Sequence, residues 1–235
     1  MKLQFLLLVG VLGAAPFRVI AAEPFVADTT KVTGWVGDPK DWSVAADATG
    51  STTAKEWIHV KPGTGVLLNG PTGKAKDLVS VFEHGDVEAE IECVFPKGSN
   101  SGIYFQNRYE VQILDSFGKA EVSVHDMGAI YERWDEARTP KGFEGTKPLA
   151  NAAKPAGEWQ TLHVIFRAPR FAADGSKTAN AKFELVELNG TVIHRDVEVT
   201  GPTRGGLPTE AAHGPIRIQG DHGPIAFRKL VFKPL

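Results

Sequence analysis

The sequence predicts an all-β sandwich built as one domain. Three observations carry this. Apolar and polar residues alternate with period two over short stretches, 25 glycines and 15 prolines punctuate them, and no segment shows a convincing helical period. The nearest to a helix, Glu132 to Ala137, is short and runs straight into Thr139-Pro140.

The chain opens with Lys2, an uncharged apolar run from Leu3 to Ala15, and small residues at Ala21 and Ala22. A basic start, a short apolar core and small residues at a cleavage point are the order of a secretory signal peptide. Residues 1–22 are therefore expected to be removed, leaving a single exported domain over 23–235. The apolar run falls short of the roughly 20 residues that span a bilayer, and Arg18 interrupts it. No later stretch approaches that length, so no membrane role is expected after processing. Losing Lys2 and Arg18 takes the formal net charge from −2 to −4. Dispersed, mildly acidic charge lacks the clustered basic face that nucleic acid requires.

Clear strand signals begin near position 79. Val87, Ala89, Ile91 and Cys93 alternate with Glu88, Glu90 and Glu92, the pattern of a strand with one buried face. Ile103 and Phe105 alternate with Tyr104 and Gln106; Tyr109, Val111 and Ile113 alternate with Glu110, Gln112 and Leu114. Further strands are expected over 162–168, 182–188, 191–199, 216–219 and 225–232. Asn189-Gly190 between two of them is a strong hairpin signal. Cys93 is the single cysteine, so no intrachain disulfide forms, and its apolar setting reads as a buried, inert thiol. Two long stretches, 126–158 and 201–214, lack periodicity. On a sandwich, loops of that length are expected to wall a groove or cap one end.

Several segments, taken together, resemble a known family. They are Gly98-Ser99-Asn100-Ser101-Gly102-Ile103-Tyr104, Arg108 to Asp115, Gly157-Glu158-Trp159-Gln160-Thr161, and Gln219-Gly220-Asp221-His222-Gly223-Pro224 followed by Phe227-Arg228. In this order and spacing they resemble the 3-keto-disaccharide hydrolase family, from about Trp35 to the C-terminus. The resemblance implies a jelly-roll β-sandwich of two antiparallel sheets of the concanavalin A-like lectin/glucanase type. It also implies an exported bacterial protein, periplasmic or secreted, acting on glycosides oxidised at C3 of the sugar. Two departures stand out. Lys229 occupies a position where members often carry Asn, and the usual Leu-Phe-Asn-Gly-like turn is missing before Trp35.

Candidate residues follow from alternation and resemblance together. If Tyr109, Val111 and Ile113 face the core, then Arg108, Glu110 and Gln112 share the opposite face. A guanidinium, a carboxylate and an amide in line suit sugar hydroxyls, which both donate and accept. Pattern alone reads this strip as a solvated face; the resemblance turns it into a site. Asp115, at the end of the same strand, is kept as a substrate contact and is nominated with Glu110 as the carboxylate pair that ordinary retaining hydrolysis would need. The acids of 88–92 read first as a solvent-facing edge, with Glu88 retained as a substrate contact.

In the segment 219–224, His222 is the best general base or metal ligand, because histidine changes charge near neutral pH. Asp221 orients it or binds a cation; Gln219 and Arg228 are substrate contacts. Trp134 and Tyr131 offer faces for stacking on a pyranose. A divalent metal held by Asp221, His222 and Glu110 is compatible with these residue types, though nothing in their spacing demands one. No Gly-x-Ser-x-Gly elbow, His-Glu-x-x-His or phosphate-binding loop is present, nor the Glu-x-Asp-x-x-Glu strand typical of glucanases on this fold.

The expectation is an enzyme cleaving 3-keto-glycosides by elimination and hydration, with His222 and Glu110 catalytic. The alternatives are a non-catalytic carbohydrate-binding module on the same sandwich, and a structural or adhesive surface domain with no polar groove.

Overall fold

The computed structural model describes residues 23–36 and 39–235; the expected signal peptide lies outside them. Seventeen strands follow in chain order. The first eight are β1 (Phe25–Val26), β2 (Trp35–Val36), β3 (Ser43–Gly50), β4 (Trp57–Leu68), β5 (Leu78–His84), β6 (Val87–Val94), β7 (Asn100–Phe105) and β8 (Tyr109–Leu114). Then come β9 (Arg133–Trp134), β10 (Gly142–Phe143), β11 (Gln160–Arg167), β12 (Arg170–Phe171), β13 (Lys177–Ala179), β14 (Ala181–Leu188), β15 (Thr191–Val199), β16 (Gly214–Ile218) and β17 (Ala226–Pro234). Among the described residues there is no helix able to cross a membrane.

The strands form two main antiparallel sheets. The larger runs β15-β14-β11-β6-β17-β4-β3, with β1 added on β17; the smaller runs β2-β5-β16-β7-β8. Each strand turns alternate residues inward. Val87, Ala89, Ile91 and Cys93 of the large sheet, and Ile103, Phe105, Val111, Ile113, Ile216 and Ile218 of the small one, are buried in one continuous core. This is the all-β sandwich expected from the alternation, of the jelly-roll type that the resemblance implies. Within the core, Phe166 stacks on Phe105 at 5.3 Å between ring centroids and meets Phe183 at 5.2 Å. Such aromatic pairs contribute about 0.5–1.5 kcal/mol beyond the area they bury.

The expected strands from 87 onward are present within two residues of their expected ends, except that β7 starts three residues before Ile103, at Asn100, and leaves Gln106 in the turn. The 189–190 turn has φ of 52° at Asn189 and 79° at Gly190, the left-handed conformation that a two-residue hairpin loop demands. Strands β3 and β4 were not anticipated. Residues 58–64 of β4 are all exposed, so burial imposes no alternation on them. Cys93 is buried, and burial pushes its thiol up to about 12, which keeps it a thiol at any ordinary pH.

The two aperiodic stretches cover the outward face and free edge of the small sheet. Strand β8 is an edge strand, and the segment 128–131 caps it. Gln112 N donates to Ala129 O at 2.9 Å, Gly128 N to Gln112 O at 2.8 Å, and Tyr131 N to Glu110 O at 3.1 Å. This satisfies backbone groups that an open edge would leave to a stray strand. The second stretch docks beside it, with Thr203 N on Arg108 O at 3.0 Å and Arg204 N on Glu132 O at 2.8 Å.

Candidate active site

On strands β7, β8 and β16 the residues alternating with the core ones project to the outward face of the small sheet. The pairing of Gly102 with Gln112, Tyr104 with Glu110, and Arg217 with Tyr104 brings them side by side. Gln219 continues the β16 row, its amide bonded to Gly102 O at 2.9 Å. Loops close the face into a cavity of about 280 Å³ lined by Asn100, Tyr104, Glu110, Gln112, Tyr131, Arg204, Gly205, Gln219 and His222.

Glu110 sits at its floor with 3 % of its surface exposed and, among the described residues, has no cation within ion-pair distance. Its carboxyl lies flat across Gly102: a Cβ there would fall 2.0 Å from Oε1, so only glycine leaves room. Burial pushes the Glu110 carboxyl up to about 8. A hydrogen bond with Tyr104 and the charge of Arg217 oppose that rise, and Asp77 adds to it. Burial thus favours the neutral acid form of Glu110. Burial also raises the Tyr104 hydroxyl, with the charge of Glu110 next in weight. Gln112 is buried, and its oxygen accepts from Ile113 N at 3.2 Å, which leaves its NH₂ group for the cavity.

His222 comes from the segment 219–225, which a set of backbone bonds fixes in place. Asn69, itself 1 % exposed, donates from Nδ2 to Gly220 O and Gly223 O, both at 2.8 Å, and accepts from Ile225 N at 2.8 Å. Ser101 Oγ donates to Gln219 O at 2.7 Å and Ser99 Oγ to Pro224 O at 2.6 Å. His222 Nδ1 is hydrogen-bonded to Asp221 Oδ1, a carboxylate–imidazole pair that holds the ring's orientation. Lys55 donates to His222 O at 2.6 Å and Lys74 to Asp221 O at 3.1 Å.

Of the residues nominated from sequence, Glu110, Gln112, Gln219 and His222 line this one cavity, and Asp221 supports His222. The others lie elsewhere. Arg108 is in the turn before β8, not on the strip. Its Nε donates to Thr209 O at 2.5 Å and Nη1 to Gln106 O at 2.7 Å, anchoring the 201–214 stretch. Asp115 faces away, accepting from Gly98 N at 3.0 Å and pairing with Lys97 at 2.8 Å. Trp134 lies behind the wall: Arg204 stacks on its ring at 3.9 Å, and its Nε1 donates to Glu136 at 2.7 Å.

Arg228 and Glu88 are on the other sheet altogether. Arg228 pairs with Glu92 at 2.5 Å and stacks 4.3 Å from the Trp159 ring. Glu88 lines a cleft of about 420 Å³ on the outer face of the large sheet, with Glu90, Glu92, His163, Glu187 and Lys229. Among the described residues no three His, Cys, Asp or Glu side chains cluster as a metal-ligand set.

Four lining residues were not nominated, Asn100, Tyr104, Arg204 and Gly205, and Tyr131 was considered only for stacking. Tyr104 was within reach, because its alternation with Ile103 and Phe105 places it beside Glu110. The loop residues carry no such signal.

A polar cavity on one sheet of a lectin-like sandwich, with a buried acid and a carboxylate-paired histidine, is the build of a carbohydrate-active protein. The comparisons bear this out at family level. Residues 25–233 match the family model described as a 3-keto-alpha-glucoside-1,2-lyase-like domain, and the chain belongs to that family. A solved structure from Parabacteroides distasonis ATCC 8503, classed provisionally as a glycosyl hydrolase, is similar at 26% identity and a TM-score of 0.66. The match covers 90% of this chain and 84% of that one. Another from the same organism, classed the same way, shares the fold at 18% identity and a TM-score of 0.59, covering 91% of this chain and 100% of that one. A search of curated proteins found no match.

Proposed function

We propose that this protein, after export, cleaves 3-keto-glycosides by elimination followed by hydration. The observation that carries the reading is Glu110: a buried carboxyl, its neutral form favoured by burial, in one cavity with His222 and three carboxamides. A ketone at C3 acidifies the C2 proton. His222, oriented by Asp221, takes that proton, and Glu110 donates a hydrogen bond to the C3 oxygen as negative charge builds there. A carboxylic acid kept neutral by burial is suited to that task. The C3 carbonyl then re-forms, the C1–C2 double bond forms, and the C1–O bond breaks. The departing oxygen takes the proton held by His222. Water next adds at C1, giving its proton to His222, which returns a proton to C2; the sum is 3-keto-glycoside plus water to the reducing 3-keto-sugar, a hemiacetal at C1, and the free alcohol. Asn100, Gln112 and Gln219 supply donors and acceptors for the sugar hydroxyls.

The test is release of a chromophoric leaving group from a 3-keto-glucoside, with the unoxidised glucoside as control and with a chelator arm for metal dependence. Release from the keto-substrate alone is expected. No release from either by the folded protein would favour a carbohydrate-binding module instead.

A further inference from the structure

Asp77 precedes β5, outside the cavity lining, yet it touches both halves of the site. Its Oδ1 accepts from Gly220 N at 2.9 Å, immediately before the Asp221-His222 pair. Its Oδ2 lies 3.6 Å from Arg217 Nε. Arg217 in turn donates from Nη2 to Gly205 O at 2.9 Å and lies 3.7 Å over the Tyr104 ring, beside Glu110. Arg217 Nε is buried and makes no hydrogen bond, so the Asp77 carboxylate is the charge that compensates it.

The position of Asp77 is itself well held. Trp42 Nε1 donates to Lys76 O at 2.7 Å. A Cβ on Gly220 would fall 2.6 Å from the same oxygen, so the two backbones are in direct contact.

We propose that Asp77 is a positioning residue that ties the His222 loop to Arg217 and so sets the geometry and charge that Glu110 experiences. This deepens the reading of Glu110 and His222 as partners in one reaction. The charged and titratable groups facing Glu110 are Tyr104 from β7, Arg217 from β16, and Tyr131, Arg204 and His222 from the loops. Asp77 stands behind Arg217. If the carboxylate only received the Gly220 amide, an asparagine oxygen would serve equally. The second contact, to Arg217, needs the charge.

Two substitutions separate these roles. D77N keeps an acceptor for Gly220 and removes the charge; D77A removes both. The decisive measurement is ¹³C NMR titration of the Glu110 side-chain carboxyl, assigned with E110Q, in wild type and D77N. Loss of the Asp77 charge leaves Arg217 unopposed, so the Glu110 midpoint is expected to fall by about half a pH unit or more. In turnover of the 3-keto-glucoside, D77N is expected to move the basic limb of the kcat/KM profile down by the same amount. D77A is expected to lose on the order of 10²-fold in kcat through displacement of His222. An unmoved Glu110 midpoint in D77N, with the protein folded, overturns the proposal. The titration needs no substrate, so absence of 3-keto-glucoside turnover in wild type would sink the functional reading alone.

Discussion

Both sheets turn carboxylates outward in an alternating strand, and the two faces have opposite chemistry. On the large sheet each acid of β6 has a basic partner. Glu88 and Glu187 both bond His163 at 2.9 Å, Lys229 and Lys233 reach Glu90 at 2.5 and 2.6 Å, and Arg228 reaches Glu92 at 2.5 Å. The Lys229 and Lys233 hydrogen bonds hold the Glu90 carboxyl down at about 2. On the small sheet Glu110 has no such partner, and burial sends it the other way, to about 8. The lesson is that an acid's chemistry follows from what covers its strand, because desolvation disfavours its charge and a neighbouring cation favours it. A paired, solvated face can be dispensed with; a lone buried acid destabilises the fold at neutral pH, and its retention calls for a use.

The contrast can be broken most sharply by activity. E110Q and H222A are each expected to lose on the order of 10²–10⁴-fold in kcat/KM on the 3-keto-glucoside, the range for general acid–base groups. E88Q is expected to stay within about twofold, since surface pairs contribute little. Equal losses from E88Q and E110Q in initial-rate assays would erase the distinction between the faces.

The next effect is on the loop that presents His222. Asn69 is buried and makes three bonds to it, so N69A is expected to cost about 1–3 kcal/mol by leaving buried backbone groups unpaired. Urea unfolding at pH 7 measures it. A cost below about 0.5 kcal/mol would show the loop to be held mainly by its serine contacts.

The pH dependence of stability should differ in sign between the faces. The folded-state value of Glu110 lies above its unfolded value. Stability is therefore full below the ordinary carboxylate range and falls as pH rises toward about 8. E110Q should remove that fall and be more stable than wild type above pH 8. Glu90 is shifted down, so its contribution is present above the ordinary range and lost as pH falls toward about 2. Its side chain is about one-third exposed, so E90Q is expected to cost less than about 1 kcal/mol at pH 7, and less again in high salt. Melting temperatures of the two variants against pH would show whether the slopes oppose one another.

Alternation alone determined much of this protein. Val87 to Cys93, Tyr109 to Ile113 and Ile216 to Ile218 announce half-buried strands, because a sheet with one covered face sorts apolar from polar residues at every second position. The same rule set Glu110 beside Gln112, and Gln219 with Arg217. Strand β4 escaped, since residues 58–64 bury neither face and nothing constrains their order. Arg108 was misplaced on the Glu110 row because alternation was carried one residue past the strand into a turn.

Tertiary structure decided what alternation could not. The Glu88-Glu90-Glu92 row and the Glu110-Gln112 row read alike in sequence, but Arg228, Lys229 and Lys233 of β17 and His163 of β11 pair with the first, while the 126–158 and 201–214 stretches bury the second. Arg204, Tyr131 and His222 reach the Glu110 cavity from segments distant along the chain, and Asp77 stands behind Arg217. Which loop folds over which face depends on the summed packing of the whole sandwich, so the pKa of Glu110, and with it the chemistry proposed here, belongs to the fold and not to any local pattern.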